Sequence, residues 1–110
     1  MTTIVSNIGN GAALLTWAAI TGANAGQSIE LKGSSALAGC VQVISGTAGS
    51  VTLQGSNDEV NWFTLKDLQG DAIALTALTQ GAEFTTSARY VRPLGNASSS
   101  AAVVAVMLRG

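Results

Sequence analysis

The densest polar cluster in the sequence is Arg89-Tyr90-Val91-Arg92-Pro93. Side chains alternate along an extended strand, so Tyr90 and Arg92 share one face while Arg89 and Val91 share the other. An arginine beside an aromatic ring on one strand face could stack on a sugar or pair with a partner's carboxylate. The competing reading is a rim salt bridge, to Glu83 or Asp67, with Tyr90 simply packed. Trp62-Phe63 is the second candidate. Two adjacent aromatics break strict alternation, so one of them is exposed or a bulge lies between them; either could equally be core. Arg89, Tyr90, Arg92, Trp62 and Phe63 are the residues read as partner contacts.

Little else in the sequence could do chemistry. Histidine, the commonest general base and metal ligand, is absent. Ser-His and Cys-His nucleophiles are therefore excluded, as are zinc sites that use histidine. Cys40 lies in an apolar run with no basic neighbour and reads as a buried small hydrophobe. Asp58, Glu59, Asp67 and Asp71 flank the Trp62 segment at separations that assure no convergence, so they read as turn and solvating residues. No Gly-rich phosphate loop occurs. The expectation is a chain that is not an enzyme and takes no cofactor or metal.

Composition narrows the partners. Of 110 residues, 47% are hydrophobic and only 10% charged, against roughly 25% charged in an ordinary soluble domain. A chain so short of charge is expected to cover much of its surface with copies of itself or with a partner. Five basic residues are scattered and the net charge is −1, which leaves no footprint for nucleic acid. The longest aliphatic run, Ala101 to Leu108, is far shorter than the ~20 residues of a membrane helix. No basic residue precedes the apolar stretch at Ala12–Leu15, so no signal peptide is expected. One cysteine excludes an intrachain disulfide and fits a reducing compartment.

The elements that must position these residues read as strands. Leu14–Ile20 alternates with Leu15, Trp17 and Ala19 on one face, although its alanines would also suit a helix. Ser28–Lys32 turns Ile29 and Leu31 inward and Glu30 and Lys32 outward, and Gly33–Gly39 is a loop of small residues. Cys40–Ser45 is a strand joined by a hairpin-like Gly46-Thr-Ala-Gly49 to Ser50–Gly55, where Val51 and Leu53 face inward. Asn57-Asp58-Glu59 is a turn before Asn61–Asp67, and Gln69-Gly70-Asp71 another before Ala72–Thr76, with Ile73 and Leu75 inward. Phe84 anchors a short strand, Arg89–Leu94 is a strand stopped at Pro93, and Ala102–Arg109 is apolar on both faces, as in a central or interface strand. The expected fold is an all-β, single-domain sandwich of eight to nine short antiparallel strands, jelly-roll or Ig-like, over residues 11–110. Residues 1–10 read either as an N-terminal arm ordered by a neighbour or as part of the fold.

The series Val51-Thr-Leu-Gln-Gly-Ser-Asn-Asp-Glu-Val-Asn-Trp-Phe-Thr-Leu-Lys-Asp-Leu-Gln-Gly-Asp-Ala-Ile, then Ala88-Arg-Tyr-Val-Arg-Pro93 and a β-branched last strand, resembles short virion proteins of tailed bacteriophages. The match covers roughly residues 40–110, with Thr16-Trp17 fitting a further motif. The resemblance implies a head decoration (cement) protein, a homotrimer on the capsid exterior that bridges and stabilises the major capsid protein, made in the host bacterial cytoplasm. Glu59 stands where that pattern usually has glycine, which implies a different backbone in this turn. The same strings are similar to those of discoidin (factor 5/8 type C) domains. That second resemblance implies a glycan-binding module, or a tail or fibre component for host adsorption.

Overall fold

In the computed structural model, residues 3–9, 12–31, 37–78 and 80–109 are described. The expectations for Lys32 and for the loop residues Gly33–Ala36, like Met1, Thr2 and Asn10, lie outside them. The chain forms an all-β antiparallel sandwich. Among the described residues its strands are β1 (Thr3–Gly9), β2 (Ala12–Ile20), β3 (Ile29–Glu30), β4 (Leu37–Thr47), β5 (Val51–Ser56), β6 (Phe63–Thr64), β7 (Ala74–Leu75), β8 (Gly81–Thr86), β9 (Tyr90–Leu94) and β10 (Ser100–Arg109). The first sheet has the order β1-β2-β10-β4-β8. The second has β3-β9-β5-β6, with β7 also paired to β5.

Period-two patterning explains the layers. Ala102, Val104, Val106 and Leu108 of β10 are buried, while Val103, Ala105 and Met107 between them are half-buried on the outer face. The first sheet contributes Leu15, Trp17, Ile20, Val41, Val43 and Phe84 to the core; the second contributes Val51, Leu53 and Val91. Trp17 is fully buried and its indole Nε1–H donates to the Gln27 carbonyl at 2.7 Å, so the polar edge of the ring is satisfied inside the core. A helix over Leu14–Ile20 would have turned some of these apolar residues to water. Pairing with both β1 and β10 makes the segment a strand instead.

Three local expectations are corrected. Cys40 is exposed, because its inward-facing neighbours are Val41 and Val43 and alternation turns the thiol outward. The Gly46–Gly49 connection is not a hairpin, since β4 and β5 lie in different sheets. Gly46 has φ +82, and a Cβ there would lie 2.1 Å from the Ala101 carbonyl oxygen. The corner can therefore be made only without a side chain. Pro93 does not end β9, which runs on to Leu94. Its carbonyl accepts from Gly26 N–H at 2.8 Å, so its nitrogen also points away from β5 and the missing donor costs that ladder nothing. Glu59 has φ 61, in the left-handed region that glycine favours.

Candidate functional site

The outer face of the second sheet gathers most of the residues singled out from the sequence. β5 and β9 are antiparallel neighbours with Gln54 opposite Arg92 and Ser56 opposite Tyr90. Since Leu53 and Val91 point into the core, Gln54, Tyr90 and Arg92 must point out. Trp62, just before β6, comes to the same face: the Arg92 guanidinium carbon lies 4.0 Å from the centre of its ring. Arg92 Nε–H donates to Gln54 Oε1 at 2.9 Å. The guanidinium is thus fixed between an amide and an aromatic face, a cation–π arrangement. Partial burial lowers the Arg92 pKa from its ordinary value, but an arginine stays charged at neutral pH. No carboxylate pairs with it among the described residues.

Arg89 is placed differently from the expectation. It stands in the bend before β9 and is exposed, whereas Val91, expected on the same face, is buried. Its Nε–H donates to Glu30 Oε2 at 2.9 Å, so the rim salt bridge is made with Glu30 and not with Glu83 or Asp67. Glu30 lies opposite Tyr90 in the β3–β9 pair, and the Arg89 guanidinium lies 5.3 Å from the Tyr90 ring centre. The hydrogen bond to Glu30, then the charges of Tyr90 and Glu30, raise the Arg89 pKa. Glu30 and Gln54 were not anticipated as partners. Alternation marks them as outward-facing, but which strands flank β9 is a property of the sheet order.

The turn leading into Trp62 is held by side chains. Asp58 Oδ1 accepts from Val60 N–H at 2.9 Å, Asn61 N–H at 2.8 Å and the Ser56 hydroxyl at 2.9 Å. Its Oδ2 accepts from Asn61 Nδ2 at 2.8 Å. These bonds, the backbone ones of Asn61 and Val60 foremost, hold the carboxyl well below the usual carboxylate range. Arg89 N–H donates to Asn57 Oδ1 at 3.1 Å, which ties this turn to the start of β9. Trp62 and Phe63 fall on opposite faces: Phe63 pairs with the inward-facing Gly55 and stays half exposed at the rim of the sandwich. The structure therefore unites Trp62, Tyr90 and Arg92, sets Arg89 beside them, and separates Phe63. Among the described residues no group of three or more cysteines, aspartates and glutamates could hold a metal ion.

No family model matches the chain, and no curated protein matches it in sequence. Solved structures do share its fold. One is a chain from the Bacillus endospore appendages, described as disulfide-linked pili, with TM-score 0.58 and 23% identity, covering 97% of this chain and 96% of that one. Another is chitosan-binding module 1 of a chitosanase/glucanase from Paenibacillus sp. IK-5, with TM-score 0.51 and 19% identity, covering 100% of this chain and 77% of that one. A carbohydrate-binding module of family 29 follows at TM-score 0.49 and 12% identity, covering 100% of this chain and 77% of that one. The first two of these, a pilus chain and a chitosan-binding module, share the fold without being capsid proteins and correct the bacteriophage resemblance. The head-decoration role, the major-capsid-protein partner, the homotrimer and the virion location inferred from it are set aside with it. The geometry gives the reason. The Ser56-Asn57-Asp58 and Arg89–Pro93 strings build a turn and a strand and are hydrogen-bonded to each other, so they report a way of making a sandwich rather than a partner.

Proposed function

We propose that the chain is a carbohydrate-binding module that takes its glycan on the outer face of the second sheet. The observation that carries this reading is the stack of Arg92 on Trp62, fixed by Gln54. A sugar ring presents an apolar C–H face that packs on aromatic and guanidinium planes, and peripheral hydroxyls that bond to fixed polar groups. The terminal nitrogens of Arg92 make no hydrogen bond among the described residues, so they are donors for such hydroxyls, already oriented before the ligand arrives. The chitosan-binding module that shares the fold supports the same reading.

The test is direct binding to immobilised polysaccharides and a sugar array. Saturable binding is expected, weakened about tenfold by Trp62→Ala or Arg92→Ala, a loss of order 1.4 kcal/mol. Arg92→Lys should not rescue, because an ammonium lacks the planar fork. Absence of binding to every glycan, or binding indifferent to both alanine variants, would overturn the proposal.

A further inference from the structure

Phe63 belongs to a different feature. A groove of about 480 Å³ runs along the rim of the sandwich, between the segment from Phe63 to Asp67 and the segment from Thr85 to Ala88. Its floor includes the buried Leu65 and Thr86. The Phe63 ring is 50% exposed beside it. The ring tip lies over Gly55, where a Cβ would sit 3.1 Å from Phe63 Cζ, so the bare backbone of β5 seats the ring.

The groove lies between two open strand edges, one from each sheet. Leu65 N–H donates to the Leu53 carbonyl at 2.8 Å, so ladder alternation turns the main-chain groups of Thr64 away from β5. On β8 the Glu83 carbonyl accepts from Leu68 N–H at 3.1 Å on the side away from β4, and Thr85, two residues on, presents its main chain on that same side. The Asn57 amide nitrogen and the Ser87 hydroxyl add donors with no hydrogen bond among the described residues. Lys66 and Asp67, of opposite charge, stand in the same lining, so the groove has no net preference for a charged ligand.

We infer that this groove is a second saccharide site, which takes one or two neutral sugar rings against Phe63 independently of the Trp62–Arg92 face. An exposed aromatic wall with several unpaired polar groups in a volume of this size matches a small polar ligand with one apolar face. An added peptide strand is disfavoured, because β6 offers only two residues of edge and the Leu68–Glu83 bond closes the groove's neighbouring stretch of β8. The inference borrows its ligand class from the proposed function but not its site.

The experiment is an amide-resolved NMR titration of the whole chain with neutral tetrasaccharides (cello-, xylo-, manno- and N-acetylchito-tetraose). Shifts are expected at Asn57, Thr64, Thr85 and Ser87, with groove affinity lowered about tenfold by Phe63→Ala, kept by Phe63→Trp and unmoved by Trp62→Ala with Arg92→Ala. Groove shifts that survive Phe63→Ala, or a groove that responds only to an extended peptide, overturn the inference. If the double variant abolishes all binding, the groove falls and the platform stands. If groove binding alone survives in the unaltered chain, the platform falls and the groove stands. Silence towards all four sugars overturns the groove, and a sugar response confined to Trp62 and Arg92 does the same.

Discussion

Asp58 shows how one side chain sets the conditions for a site it does not enter. Its four accepted hydrogen bonds hold the turn that delivers Trp62 to Arg92. Because these bonds favour the ionised carboxylate, its folded-state pKa lies below its unfolded one. The stabilisation is then complete above the unfolded value of about 3.9 and is lost as pH falls through the folded value. The melting temperature of Asp58→Ala should therefore trail the unaltered chain most above about pH 5, with the gap narrowing progressively as pH falls below about 4. A gap constant across that range in thermal melts would show that the carboxylate charge plays no part. At this scale the sequence is informative: Asn57-Asp58-Glu59 reads as a turn from its side-chain chemistry alone. Arg89 makes the rim ion pair its setting suggests, but the partner, Glu30, is 59 residues away and comes close only through the β3–β9 pairing.

At the scale of elements, the strands follow from alternation and the connections do not. Val51, Leu53, Ile73, Leu75 and Phe84 are inward and buried as their patterns predict. The short Gly46–Gly49 link misled, since a brief glycine-bounded loop suits a hairpin and a corner between sheets equally well. What separates them is the approach of Ala101 to Gly46, a contact with β10. Gly46→Ala should accordingly destabilise the chain by at least ~2 kcal/mol, combining left-handed strain with a backbone clash. Thr47→Ala, at an exposed neighbour, should change stability by less than ~0.5 kcal/mol. Urea unfolding of the two variants decides this, and equal costs would count against the corner geometry.

For the whole molecule, stability rests on the interleaving of two sheets over one core. Leu53 from the second sheet is fully buried in the same cluster as Trp17 and Val104 from the first. Leu53→Ala should cost about 2–5 kcal/mol by denaturant unfolding, while Leu68→Ala, 66% exposed, should cost less than ~0.5 kcal/mol. The low charge content takes a concrete form here. On the outer face of the first sheet, Leu14, Ala18, Val103, Ala105 and Met107 are half-buried and apolar. The second sheet instead carries Glu30, Gln54, Tyr90 and Arg92 outward. The proposed glycan site lies on this polar, aromatic face of the second sheet.

The Arg-Tyr-Val-Arg-Pro strand and the Trp-Phe pair were visible as chemistry before any fold was known, because alternation along a single strand depends only on local backbone geometry. The all-β class followed for the same reason, from period-two runs broken by turn residues. Which strands lie side by side is set by long-range packing of the two sheets, and only that order brings Gln54 to Arg92 and Glu30 to Arg89. It likewise sends Trp62 to the open face and Phe63 to the rim groove, since the β5–β6 register decides which of two adjacent rings meets Gly55. Residue types named the chemistry; non-local strand pairing divided it between the open face of the second sheet and the rim of the sandwich.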